Sequence, residues 1–298
     1  MNNHAVELRN VGKDYKYFRL NDISLNLPTG SITGFIGVNG AGKSTTIRIL
    51  LGLVHQDRGS VQVLGQTMPD QQVLAKREIG YVSEDMRLYP KANLAWHMQF
   101  IQSIYPNWDQ TYAEQLLKRF DLRAEQKIKG LSHGQRVKAT LLLALAHRPK
   151  LLVLDEPTTG LDPVARQEVL SALMEVLADE QRTILFSSHN TLDVEQISDH
   201  VAFIDQGSII EATSKEDLLD LWRRLRVRIA PGQALTELPY IVQQQGNGQL
   251  QSLITNRYSP DLHQTYQQAG LEIQAVEHLT LEEIFVASIQ ARREGKTL

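Results

Sequence analysis

The chain has 298 residues, of which 42% are hydrophobic and 22% charged, with 31 basic side chains against 34 acidic ones and a net charge of −3. This is an ordinary globular composition, long enough for one sizeable domain and a smaller appendage, and the near balance of charge lacks the basic footprint of a general nucleic-acid binder. With no cysteine in the chain, disulfides and thiolate metal sites are excluded.

Met1 to Glu7 has neither a basic n-region nor an apolar h-region, so no secretory signal is expected. Val6 to Leu8 and Ile23 to Leu27 alternate apolar and polar residues, as half-buried antiparallel strands do. Between them lies Lys13-Asp14-Tyr15-Lys16-Tyr17-Phe18, where an aromatic can stack on a nucleotide base or pack on the sheet edge; composition leaves both open. Pro28-Thr29-Gly30 predicts a turn. The apolar run Ile32 to Ile36 then leads into Gly37-Val38-Asn39-Gly40-Ala41-Gly42-Lys43-Ser44, and a helix-like run follows to Leu53. Gly59 to Gly65 predicts a short strand, Asp70 to Glu78 a helix, and Ile79 to Ser83 another strand.

From Leu94 to His147 apolar residues recur at helical spacing, punctuated by Pro106 and Gly130, which predicts a mostly helical insert in an α/β domain. The most apolar stretch, Ala139 to Ala146, is far short of the roughly 20 residues a bilayer crossing needs, so a soluble chain is expected. Leu151 to Leu154 is a fully apolar run ending in Asp155-Glu156-Pro157. Pro163 to Leu177 predicts a helix with proline in its first turn. Thr183 to Phe186 predicts a strand ending at Ser187-Ser188-His189, and His200 to Ile204 another. Continuous apolar strands alternating with helices indicate a parallel sheet covered on both faces, with functional residues at the carboxyl ends of its strands. Ser214-Lys215-Glu216-Asp217 opens a capped helix expected to end near Leu225. Beyond it, strands are expected at Arg226 to Ile229, Tyr240 to Gln243, Leu250 to Ile254 and Leu271 to Val276. Helices are expected from Asp261 to Gln268 and, with the cap Thr280-x-x-Glu283, to about Ile289.

The chemistry begins with G-x-x-x-x-G-K-S set between a strand and a helix, the context of a phosphate-binding loop. Its glycines let backbone N–H groups form an anion nest at a helix N-terminus; Lys43 would reach the β- and γ-phosphates and the Ser44 hydroxyl would take a place on Mg²⁺. Asp155 at a strand end can hold Mg²⁺, and Glu156 is placed to accept a proton from an attacking water. His189, at the end of the next strand, can orient that water on the γ-phosphate. Leu131-Ser132-His133-Gly134-Gln135 precedes a helix shortly upstream of Asp155.

Here the sequence resembles the ATP-binding-cassette (ABC) ATPases, whose signature reads L-S-G-G-Q. The resemblance spans roughly Val6 to Asp217 and keeps the motifs in order, with Gly160-Leu161-Asp162 as the D-loop and His189 as the switch histidine. It implies a P-loop α/β core with an antiparallel β subdomain and a helical subdomain (about 86–148) in an ATPase domain of residues 1–221, followed by a small α+β domain, 222–298. It implies ATP and Mg²⁺ as cofactors, with Glu156 and His189 catalytic. Nucleotide contacts would come from Tyr15, Asn39, Gly40, Ala41, Gly42, Lys43, Ser44 and Thr45, and across a dimer interface from Ser132, Gly134, Gln135 and Asp162. Metal contacts would come from Ser44, Glu84 and Asp155. Two positions depart from the family: Glu84 stands where it usually has the Q-loop glutamine, and His133 replaces the first signature glycine. The His133 side chain is expected to point away from ATP.

The implied partners are a second copy of the chain or a related ATPase subunit, and integral membrane permease subunits. The segments Tyr105-Pro106-Asn107-Trp108-Asp109, Leu117 to Leu122 and Leu281 to Val286 resemble nucleotide-binding subunits of bacterial ABC-2-type exporters, which implies a cytoplasmic chain held peripherally at the membrane by its permease. The alternative is a soluble ABC ATPase acting on nucleic acid or ribosomes. Arg223, Arg224, Arg226 and Arg228 are its best candidate patch, and such a cluster can equally be a solvated face. The Gln-rich C-terminal region shows no pocket chemistry, and a structural or dimer-stabilising role is expected of it.

Overall fold

The computed structural model describes residues 4–176, 182–229, 238–246 and 248–296, in two compact units, Met1–Ile209 and Ile210–Leu298. The first unit begins with two long antiparallel strands, β1 (His4–Asp14) and β2 (Arg19–Pro28). Then come β3 (Ile32–Ile36), helix α1 (Lys43–Leu50), β4 (Arg58–Val63), β5 (Gln66–Met68), α2 (Gln72–Lys76) and β6 (Ile79–Ser83). The helical insert holds α3 (Leu94–Ile104), α4 (Gln110–Arg119) and α5 (His133–Leu145). After it follow β7 (Leu151–Asp155), α6 (Pro163–Val176), β8 (Thr183–Ser188), α7 (Thr191–Ile197), β9 (His200–Asp205) and β10 (Ser208–Ser214), the last running across the boundary into the second unit. Leu177, the expected end of α6, lies outside the described residues.

One sheet runs β2-β1-β4-β5 and a second β10-β9-β3-β8-β7-β6. In the second, β9, β3, β8, β7 and β6 are parallel neighbours, and every residue of β3, β7 and β8 is buried. That burial on both faces is why these strands read as uninterrupted apolar runs rather than alternating ones. Phe35 of β3 joins Ile47 and Leu50 of α1 and Val6, Leu25 and Val61 of the antiparallel sheet in one core. Gly34, one residue earlier, faces the other way: a Cβ there would lie 2.0 Å from Val194 Cγ1, so glycine is what lets α7 seat on β3.

The second unit carries α8 (Lys215–Leu221), β11 (Arg223–Ile229), β12 (Ile241–Gln245), β13 (Leu250–Thr255), α9 (Pro260–Gln268), β14 (Leu271–His278) and α10 (Leu281–Arg293). Its sheet runs β12-β13-β11-β14 and is antiparallel throughout. Leu225, Val227, Leu253, Leu262 and Tyr266 form its core. The helix opened by Ser214 ends at Leu221, short of the expected Leu225, because from Arg223 onward the residues alternate between buried and exposed with the period of a strand. Two arginines of that strand are held in ion pairs: Arg224 bonds Glu283 at 2.9 Å and Arg226 meets Glu277 at 3.2 Å. Buried Arg223 donates to the Trp222 carbonyl at 2.8 Å. Three of the four arginines of the patch are therefore held by partners.

Candidate functional site

Sheet order brings the motifs together. With β8 between β3 and β7, the loop after β3, His189 after β8 and Glu156 after β7 emerge side by side at the carboxyl edge, and the loop after β6 lies next to β7. Ligands bind at this edge of open parallel sheets because helix N-termini and loop amides converge there.

The phosphate-loop motif folds as a tight turn. Val38, Asn39 and Gly40 form an exposed tip, Ala41, Gly42 and Lys43 are buried, and Ser44 and Thr45 are half-buried at the start of α1. Gly40 and Gly42 have φ of 79° and 117°, a region where an L side chain is strained. Gly37 is fixed by proximity instead, since a Cβ there would meet the Ile204 carbonyl oxygen at 2.6 Å. The Lys43 side chain, 6% exposed, curls back so that Nζ donates to the Gly37 carbonyl at 2.6 Å and forms an ion pair with Glu156 Oε1 at 3.1 Å. The Glu156 contact is close enough for an ion pair but lacks directional hydrogen-bond geometry.

Glu156 has a positive φ of 55°, an uncommon conformation for a residue with a side chain. The turn it creates carries the carboxylate back over the ends of β7 and β8. There Oε2 accepts from His189 Nδ1 at 2.7 Å and from the Thr159 hydroxyl at 3.2 Å. A carboxylate can only accept, so Nδ1 of His189 carries the proton and Nε2 is left for another partner. Asp155, one residue earlier, is buried and accepts from the Ser187 hydroxyl at 3.0 Å. Its carboxyl is pushed above the usual carboxylate range, first by burial and further by the neighbouring Glu156 charge; hydrogen bonds from Ser44 and Ser187 pull the other way.

Hard-cation chemistry fits this pair: a buried carboxylate and the Ser44 hydroxyl are oxygen donors of the kind Mg²⁺ takes beside substrate phosphates and water. Among the described residues no three His, Asp or Glu side chains are close enough to hold a metal by themselves. Glu84 is therefore not gathered with Asp155 and Glu156 as a ligand set. Its exposed side chain sits on a loop tied to β7 by its own amide, which donates to the Asp155 carbonyl at 3.1 Å.

Ser132 caps α5 with a capping box: its hydroxyl accepts from the Gln135 amide at 3.1 Å, and Gln135 Oε1 accepts from the Ser132 amide at 3.0 Å. Gly134 lies against α6, where a Cβ would come 3.1 Å from Ala165 Cβ. His133 turns toward its own chain, Nε2 meeting the Thr159 carbonyl at 3.0 Å. Asp162 is exposed and caps α6, accepting from the amides of Val164 and Ala165 at 3.0 Å each; those bonds hold its carboxyl below the ordinary range. Tyr15 is 45% exposed, its ring 6.4 Å from that of Phe18.

Three supporting contacts come from packing rather than from a motif. Phe18 packs by the phosphate loop, 3.1 Å from where a Gly42 Cβ would be. Ser187 supports Asp155 from the neighbouring strand. Asp193, buried at 1% exposure, accepts from Thr158 at 2.6 Å and pairs with Arg166, so that the segment after Glu156, α6 and α7 meet on one carboxylate. No local pattern announces that burial.

Two grooves flank the site. One, of about 440 Å³, lies among Glu84, Arg87, His133, Arg136, Glu156 and Thr159. The other, about 330 Å³, is more apolar and is lined by Leu51, Leu53, Met86, Leu88, Ile101 and Tyr105.

The family described as "ABC transporter" matches residues 20–159. The linearmycin resistance ATP-binding protein LnrL of Bacillus subtilis (strain 168) is 34% identical over 219 residues, covering 72% of this chain and 70% of that protein. The lantibiotic transport ATP-binding protein SrtF of Streptococcus pyogenes is 34% identical over 223 residues, covering 73% and 95%. Among solved structures, an ATP binding subunit of an ABC transporter superposes with a TM-score of 0.66 at 27% identity, over 72% of this chain and 92% of that one.

Proposed function

Since the chain belongs to the ABC transporter ATP-binding proteins and is an ATPase, we propose that it powers an exporter whose membrane-spanning permease is a separate chain. The observation that carries this is the apolar groove of Leu53, Met86, Leu88 and Tyr105 beside the loop that leaves β6 and is tied to Asp155. A permease segment seated there would feel the state of the nucleotide site through that loop. No described helix is long and apolar enough to cross a membrane, which supports a division of labour between two chains, with this one on the cytoplasmic face. The names of LnrL and SrtF, a resistance protein and a lantibiotic transporter, favour export.

In this reading the phosphates lie on the amides of residues 39–45, with the base against Tyr15. Lys43 exchanges its ion pair with Glu156 for the γ-phosphate, freeing Oε1 of Glu156 to take the proton of the attacking water. His189, fixed by its Nδ1–H bond to Glu156, turns Nε2 toward the γ-phosphate, to which it can donate only as the imidazolium. Asp155 and Ser44 would hold Mg²⁺, which neutralises charge on the phosphates when bound. The capped N-terminus of α5 is an anion site without a partner in its own chain's phosphate loop. It suits the γ-phosphate held by a second subunit, giving a two-fold ATP sandwich with Asp162 at its seam. Closure is favoured only while ATP binds the closed form better than the open one.

The test is co-expression with the candidate permease. Leu53→Asp and Met86→Asp should abolish co-purification and permease-stimulated ATP hydrolysis while leaving the isolated chain's ATP binding intact. An unaltered complex would sink the docking assignment.

A further inference from the structure

A chain of contacts joins the signature helix to the Glu156 carboxylate within one subunit. The exposed His133, at the first position of α5, reaches Thr159 of the segment after β7, and its Nε2 lies 3.0 Å from the Thr159 carbonyl oxygen. Because a carbonyl oxygen has no proton to give, Nε2 is the donor, in the neutral ring as in the protonated one. The same Thr159 donates its hydroxyl to Glu156 Oε2 at 3.2 Å, on the oxygen that His189 Nδ1 also contacts at 2.7 Å. Thr159 is thus held on one side by His133 and holds Glu156 on the other. Two neighbouring contacts keep α5 against α6 and make the link geometrically steady: Gly134 packs on Ala165, and Lys138 pairs with Glu168. A glycine at position 133 could make no such bond.

We infer that His133 is a positioning residue for hydrolysis: by fixing Thr159 it orients the Glu156 carboxylate, and it is not a contact to ATP. The inference rests on the reading of Glu156 as the proton acceptor. The positive φ of Glu156 explains why such help matters. A side chain that starts from a strained backbone position needs external bonds to stay aimed at the reacting water.

The experiment is steady-state hydrolysis of Mg·ATP by the purified full chain. His133→Ala is expected to lower kcat about fivefold, close to 1 kcal/mol of barrier, with KM for ATP unchanged. Alanine is the better helix former, so weakening of α5 would not account for the loss. His133→Gln, which restores an N–H donor at similar reach, should recover kcat to within about twofold. Thr159→Val keeps the carbonyl but removes the hydroxyl and should lower kcat comparably. In the double variant His133→Ala/Thr159→Val the losses should not multiply, because both cut one chain of contacts. An unchanged kcat in His133→Ala, a raised KM at constant kcat, no rescue by glutamine, or multiplicative losses would each overturn the inference. Glu156→Gln is run in parallel. If it turns over normally, the reading of Glu156 fails; if it is inactive while His133→Ala is unaffected, only the role of His133 fails.

Discussion

The two compact units handle charge in opposite ways. In the C-terminal unit three arginines of β11 are held by partners: Arg224 by Glu283, Arg226 by Glu277, and the buried Arg223 by backbone carbonyls, around a closed apolar core. At the carboxyl edge of the parallel sheet, Asp155 and Glu156 are adjacent, Lys43 pairs with the second, and the first is left to hydroxyls in a buried place that raises its pKa. Matched pairs at a surface add little to stability but demand nothing from a ligand. Adjacent carboxylates in a buried edge cost stability and are relieved by whatever cation binds there. Stability and chemistry are therefore separable in this chain, and substitutions in the two units should give different signatures.

The largest contrast is expected between two glutamates. Glu156→Gln should reduce ATP hydrolysis by about 10²–10⁴-fold, the usual worth of a positioned general base, while ATP still binds and the closed dimer accumulates, as seen by size-exclusion chromatography. Glu283→Gln in the other unit should leave hydrolysis within about twofold. Rapid turnover by the first variant would remove Glu156 from the base role. Next comes Lys43→Ala, which deletes a charged donor to the phosphates and should weaken nucleotide binding about 10–100-fold, as for the loss of one charge-assisted hydrogen bond. Unchanged affinity by calorimetry would mean that the loop does not hold phosphate.

Asp155→Asn separates the two effects in a single residue. The folded-state pKa of Asp155 is raised, so ionising it opposes folding; the penalty is full above that pKa and vanishes as pH falls below the unfolded value. The asparagine variant, without nucleotide, should therefore melt higher than the parent at pH 8, by about 2–4 °C for each kcal/mol relieved. The difference should shrink as pH falls into the carboxylate range. Hydrolysis should be lost at the same time. A variant that melts lower at pH 8 would show that the carboxylate is stabilising as it stands.

Much of this arrangement is legible before any coordinates. The parallel strands announce themselves as unbroken apolar runs because both faces are covered, and each ends on its functional residue: Ile36 before the glycine loop, Leu154 before Asp155, Ser188 before His189. Boundaries in the second unit are less legible. Leu218, Leu221 and Leu225 fit a helical stripe, yet Arg223 to Ile229 also alternates, and only pairing with β13 and β14 decides for the strand. The site's supports are the least legible. His133 shows as a departure from a motif, but its bond to Thr159 exists only once α5 lies against α6. Asp193 sits in a polar stretch and becomes a buried node through Thr158 and Arg166, 35 and 27 residues away in sequence. Motifs carry chemistry at fixed local spacing; the side chains that hold them come from packing.

The smallest predicted effect belongs to the quiet unit. Thr280 caps α10 through a capping box: its hydroxyl accepts from the Glu283 amide at 3.2 Å, and Glu283 Oε2 accepts from the Thr280 amide at 2.9 Å. That amide, followed by Arg224, holds the Glu283 carboxyl below its ordinary range. A depressed pKa contributes stability above the unfolded value of about 4.3 and loses it as pH falls through the folded one. Thr280→Ala removes the hydroxyl, with its own smaller bond to Glu283 Oε2 at 3.2 Å, but spares the amide, so it should cost about 1 kcal/mol at neutral pH and leave most of the pH dependence from Glu283 in place. ATP turnover should not change, because the cap and its Glu283–Arg224 pair lie within the second unit. If turnover fell more than about twofold at temperatures well below melting, the C-terminal helix would be coupled to the nucleotide site, and the separation of stability from chemistry would fail where the two units differ most.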